Sequence, residues 1–139
     1  MSSEELAKKI PPEIREYLIE EFGALRPSHL TMAKYNPSML EGFAKFRRAV
    51  QPGEKDPEGA LPKYMKEIVS VIIEVTLGRG GGAEGPGVLH TRSAMKHGAT
   101  PEMIHEAMAL VFFLGGMTSY VQYGLNCVKA AEEEYKKTH

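Results

Sequence analysis

The 139 residues include a single cysteine, Cys127. This excludes an intrachain disulfide and any Cys-x-x-Cys redox pair within one subunit. An excess of charge of either sign is missing as well: 17 Lys and Arg stand against 18 Asp and Glu, a formal net charge of -1. No basic cluster alternates with aromatics, so no nucleic-acid partner is expected. The longest apolar run, residues 107–117, is well short of the roughly 20 residues that a membrane-spanning helix needs. No membrane association is expected from it. The stretch MSSEELAKK lacks the apolar core of a secretion signal, and the expectation is a cytoplasmic protein. Strand-length alternation of apolar and polar residues is absent too, which leaves an all-α chain.

What is present suffices for one globular domain over residues 1–139: 42% of the residues are hydrophobic and 25% charged, an ordinary balance for a soluble fold. Spacing and punctuation predict about six or seven helices. Residues 1–26 read as a helical arm, broken at Pro11-Pro12 because proline lacks an N–H and clashes with the preceding turn. A helix then runs from Pro12 to Phe22 and ends at Gly23. After Arg26-Pro27 a short helix stops at Asn36-Pro37, a pair that also caps the next one. In that helix Met39, Phe43, Phe46 and Val50 form the apolar stripe. Residues 51–62, with prolines at 52, 57 and 62 and glycines at 53 and 59, read as a surface connector.

The stretch from Lys63 to Gly98 is where chemistry is expected. Its first helix, KYMKEIVSVIIEVTLG, carries Lys63, Glu67, Ser70 and Glu74 in one narrow stripe, while apolar residues cover most of the remainder. Two carboxylates thus share one face of a largely buried rod. A glycine loop, RGGGAEGPG, turns the chain into a helix that opens on His90, with His90, Ala94 and His97 along one side. A carboxylate and an imidazole on facing helices make an acid–base pair, and either Glu67 or Glu74 can supply the acid.

Each of these residues also has a plainer reading. His90 can be a semi-buried histidine bonded to a loop carbonyl, and Glu67 a surface partner of Lys63. Glu74 sits inside VIIEVTL, where an unpaired charge is costly, so it either lines the same cavity or pairs across a subunit contact. Arg79 and Arg92 can hold a substrate carboxylate, though Arg92 falls on the polar side of its helix, as a structural ion pair would. Tyr120 is core or interface material, with pocket lining as the minority view. His97, beside Gly98, suits a helix C-terminus. A metal centre from His90, His97 and a glutamate is discounted, because two helical turns separate the histidines by about 10 Å. The glycine loop at 80–87 lacks the Gly-Lys-Ser/Thr ending of a phosphate loop and follows a helix rather than a strand, so a tight, mobile turn over the pocket is the better reading.

Past Gly98, Thr100 caps a helix with Pro101 in its first position, burying Ile104, Ala107, Met108, Val111 and Leu114. After Gly115-Gly116, Thr118 or Ser119 caps a last helix with Val121, Leu125, Val128, Ala131 and Tyr135 on its apolar side. The central helix and the segment 107–114 are apolar on more than one face, and a chain this small cannot wrap both, so a homo-oligomer is expected.

The order of Lys66-Glu67-Ile68, Leu89-His90-x-Arg92 with Ala94, Gly98-Ala99-Thr100-Pro101-Glu102, Ile104, Glu106-Ala107 and Gly115-Gly116 resembles the carboxymuconolactone decarboxylase family, which includes the AhpD-like alkylhydroperoxidases. The resemblance covers residues 61–131. It implies an all-α AhpD-like fold assembling into trimers or hexamers, with the site near a subunit contact. It also implies that Glu67 is the helix glutamate and His90 the histidine of the site, acting without a cofactor or metal. The positions where the peroxidase branch carries its two cysteines are Ala83 and Pro86, so the chain resembles the decarboxylase branch more. The activity implied is a lyase or isomerase acting on a small carboxylated lactone or ring acid. A peroxiredoxin-like antioxidant role and a non-catalytic small-molecule-binding role are the alternatives.

Overall fold

A computed structural model describes residues 1–79, 82 and 84–139, and among these the regular structure is entirely helical. Of the glycine loop, Gly80, Gly81 and Ala83 lie outside the described residues, and with them the expected mobile turn. No helix among the described residues is long and apolar enough to cross a membrane. The chain divides into two compact units, Met1–Gly59 and Ala60–His139.

The first unit holds α1 (Ser3–Lys9), α2 (Pro12–Phe22), α3 (Pro27–Tyr35) and α4 (Pro37–Val50). Proline opens α2, α3 and α4, where its missing N–H is no loss, and Asn36 caps α4 by accepting from the Met39 N–H at 3.2 Å. Its core is Ile10, Tyr17, Leu18, Ala33, Leu40 and Ala44. The stripe expected to be buried on α4 faces outward instead: Phe46 is 73% exposed, and Met39 and Val50 are exposed too. The buried face of α4 is set by Leu40 and Ala44, one position round the helix, where α2 and α3 pack against it.

Polar contacts tie the start of the connector to this unit. Arg47 Nη1 donates to Glu21 Oε2 at 2.6 Å and to the Tyr17 hydroxyl at 3.0 Å, and that hydroxyl donates to the Gln51 carbonyl at 2.7 Å. Burial raises the Tyr17 phenol to about 12 against the opposing pull of Arg47. Arg48 grips both oxygens of Asp56 at 2.8 Å, which lowers the pKa of that carboxyl. His29 is buried edge-on to the Phe22 ring, with ring centres 4.8 Å apart.

The second unit packs α5 (Lys63–Thr76), α6 (Pro86–Lys96), α9 (Leu125–Thr138) and α7 (Pro101–Gly115) so that each touches the next and α7 returns to α5. Thr100 caps α7 by accepting from the Met103 N–H at 3.3 Å. The chain from Met117 onward is nearly continuous helix: one α turn, α8 (Met117–Ser119), a π turn (Tyr120–Gly124) and then α9. Thr118 and Ser119 therefore lie within it, and the N-cap is Gly116 at φ 97°, a left-handed value that suits glycine. The π turn carries one extra residue and rotates the helix beyond it. Cys127, Ala130 and Ala131 are buried, while Val121, Leu125 and Tyr135, expected on the apolar side, are exposed. At the turn, a Cβ on Gly124 would sit 3.2 Å from Met108 Sδ, so α7 and the π turn approach closely there.

Candidate active site

The buried line along α5 is Lys63, Glu67, Val71 and Val75, four residues spaced one turn apart. The stripe read from the helical wheel thus turns its first two members inward, and Met65, Val69, Ile73 and, just past the helix, Leu77 are exposed. Only 1% of the Glu67 side chain is accessible. A carboxylate that deeply placed requires partners. Oε2 lies 2.7 Å from His90 Nδ1, and Oε1 lies 3.7 Å from Lys63 Nζ, whose side chain is 8% exposed.

His90 reaches Glu67 because α6 begins at Pro86, four residues before the histidine, with Gly85 as N-cap. The helix was expected to open on His90 itself. The earlier start places His90 one turn inside the helix, on the side packed against α5. Glu67 thereby fixes the ring through one nitrogen, while the side chain keeps 24% of its surface open. A carboxylate held on Nδ1 orients the imidazole and leaves Nε2 to exchange protons.

The remaining candidates are engaged elsewhere. Glu74, seven residues beyond Glu67 and so about 10 Å along the helix, pairs through Oε2 with Arg79 Nε at 3.2 Å. Arg92 pairs with Glu84 at 3.2 Å and Glu134 at 3.8 Å, the structural role its helical position suggested. Tyr120 packs edge-on to Phe112 with ring centres 5.4 Å apart. His97 ends α6 with Nδ1 2.7 Å from the Ser93 carbonyl. Among the described residues no three His, Cys, Asp or Glu side chains converge as a metal centre would require. Lys63 is the member of the cluster that sequence reasoning assigned only to surface pairing; its spacing of four from Glu67 was the available signal.

Cys127 is fully buried, and burial pushes its thiol above the ordinary range despite a hydrogen bond with Thr91. Such a thiol stays protonated near neutrality and is a poor nucleophile.

Residues 37–130 match the carboxymuconolactone decarboxylase family, and the chain belongs to that family. The match begins at α4, earlier than the residue 61 at which the resemblance was read. Among solved structures, the chain is similar to a protein from Burkholderia xenovorans LB400 provisionally named a carboxymuconolactone decarboxylase. The two share 22% identity over 99% of this chain and 96% of that one, with a TM-score of 0.78. At that identity the likeness establishes the fold. No curated protein matches.

Proposed function

We propose that this chain is a cytoplasmic carboxy-lyase acting on a small carboxylated lactone or related ring acid, with His90 as proton carrier and Glu67 as its partner. The observation that carries the reading is the 2.7 Å contact between Glu67 Oε2 and His90 Nδ1 on a partly open ring. Family membership supports the substrate class. In the reaction the bond to the substrate carboxylate breaks, CO₂ leaves, and its electron pair enters the conjugated carbonyl as an enolate. A proton held on His90 Nε2 is then delivered to carbon, and the imidazole regains one from water. One proton is consumed for each CO₂ released. Glu67 stabilises the charged ring while it holds that proton, and acid–base chemistry of this kind needs no cofactor.

The same reading includes self-association as a trimer or hexamer. Phe113 and Leu114 are 80% and 78% exposed, with Phe112 and Met117 beside them in sequence, more apolar surface than isolated chains usually leave to water.

The test is CO₂ release from a panel of lactone carboxylates by the wild type and by His90→Gln. Turnover by the wild type and its loss in the variant are expected. Undiminished turnover in a folded His90→Gln protein refutes the assignment.

A further inference from the structure

We infer that the outer face of α4 is a two-fold contact, on which a second copy of this chain lays its own α4 antiparallel. The inference deepens the self-association proposed through α7 and rests on it for the size of the assembly, but it adds a different surface, in the first unit. Met39, Phe43, Phe46 and Val50 are 58%, 37%, 73% and 53% exposed. Their steps of four, three and four residues are the spacing of a seam between two helices. Gly42 is exposed beside them, and nothing among the described residues lies within 4 Å of where its Cβ would stand. A glycine inside a helix costs stability relative to alanine. Nothing in the chain's own packing calls for one here, whereas a gap beside protruding rings admits a ring from outside.

The seam is its own complement. Laid antiparallel, it sets Met39 opposite Val50 of the partner subunit and Phe43 opposite Phe46 of the partner subunit, and each Phe46 comes beside the other copy's gap at position 42. The two helix dipoles then oppose, whereas a parallel pair would align them. Unpaired, the four side chains leave about 400 Å² of apolar surface to water, within the size range of patches that serve a function. Paired, they bury at most roughly 900 Å², short of the roughly 1,200 Å² of a lasting contact between two partners. One seam is therefore weak, but three together are not. Between two trimers held through α7, three α4 seams close at once, and after the first has formed the other two are intramolecular. The resting assembly is then a hexamer rather than a trimer.

The experiment is light-scattering mass of the wild type, Met39→Glu, Val50→Lys and the double variant, with circular dichroism as the check on folding. The wild type is expected as a hexamer. Each single variant sets a charge against an apolar group of the second copy and is expected to halve the mass. The double variant is expected to restore it, because its two new charges stand eleven residues, about 16 Å, apart on one helix and can meet only across the contact. Should a single variant not fold, Gly42→Leu, which fills the gap without adding charge, is expected to halve the mass as well. A trimeric or monomeric wild type overturns the inference, and so do folded single variants of unaltered mass. A double variant that stays at half mass overturns the antiparallel pairing. Failure of the α7 contact reads differently: a dimeric wild type, made monomeric by Met39→Glu and unmoved by Leu114→Glu, would refute the contact through α7 and uphold this one.

Discussion

Glu67 and His90 lie 23 residues apart in the chain and meet at 2.7 Å, through the one face of α5 that carries charge into the interior. That contact makes two helices and an intervening loop into one chemical unit. Glu67→Gln keeps the shape but removes the negative charge opposite Lys63. We expect turnover to fall about a hundredfold and stability to drop by about 2 kcal/mol. Urea unfolding and steady-state rates check both.

Arg47 and Glu21 form a second, partly buried ion pair, with side chains 15% and 4% exposed. Replacing Arg47 removes the guanidinium that faces both the Glu21 carboxylate and the Tyr17 hydroxyl. Arg47→Met is expected to destabilise the chain by about 3 kcal/mol, read from denaturant midpoints. The activity assigned to the second unit should persist wherever the variant is folded.

His29 gives a pH signature. Burial first, then the charges of Arg26 and Arg47, lowers its pKa below the ordinary 6.5, and its Nδ1 accepts the Arg26 N–H at 3.0 Å. A histidine kept neutral by folding contributes stability that is present above 6.5 and lost as pH falls toward its folded value, because the unfolded chain then binds the extra proton. Unfolding midpoints should therefore decline between pH 7 and about pH 5, and decline less in His29→Gln. An equal slope in both proteins would assign the loss to other groups.

Leu114→Glu places a charge on a side chain that is 78% exposed in a single chain. The variant is expected to shift light-scattering mass from trimer or hexamer toward monomer with little change in helical content. Unaltered mass would move the proposed contact to another face.

Cys127→Ala tests the thiol route. The buried, raised thiol predicts that any peroxide-consuming activity is the same with and without it. Measured peroxide loss that depends on Cys127 would revive the antioxidant reading.

The helices were legible where punctuation is local: Thr100-Pro101, Asn36-Pro37 and Gly23 act within a few residues of themselves. Facing was harder to read. On α4 and α5 the wheel separates apolar from polar correctly, but the buried side is chosen by neighbouring helices, and it took Leu40 and Ala44 on one and Lys63 and Glu67 on the other. The choice between Glu67 and Glu74 as partner of His90 depended on where α6 begins, and Pro86 carried that information. His29 was missed because its burial comes from Phe22 and Phe43, on other helices. The π turn has no strong sequence mark beyond Gly124.

That widened turn sets the phase of everything after it. Deleting one residue between 120 and 124 would let ordinary winding resume with the closing helix in its present phase, because the wide turn uses one extra residue for the same rotation; losing a second would swing that helix by about 100° about its axis. With that second loss Ala130 and Ala131 would be carried toward water and Lys129 or Glu132 toward α6 and α7, so this five-residue span can shorten by one residue and not by two.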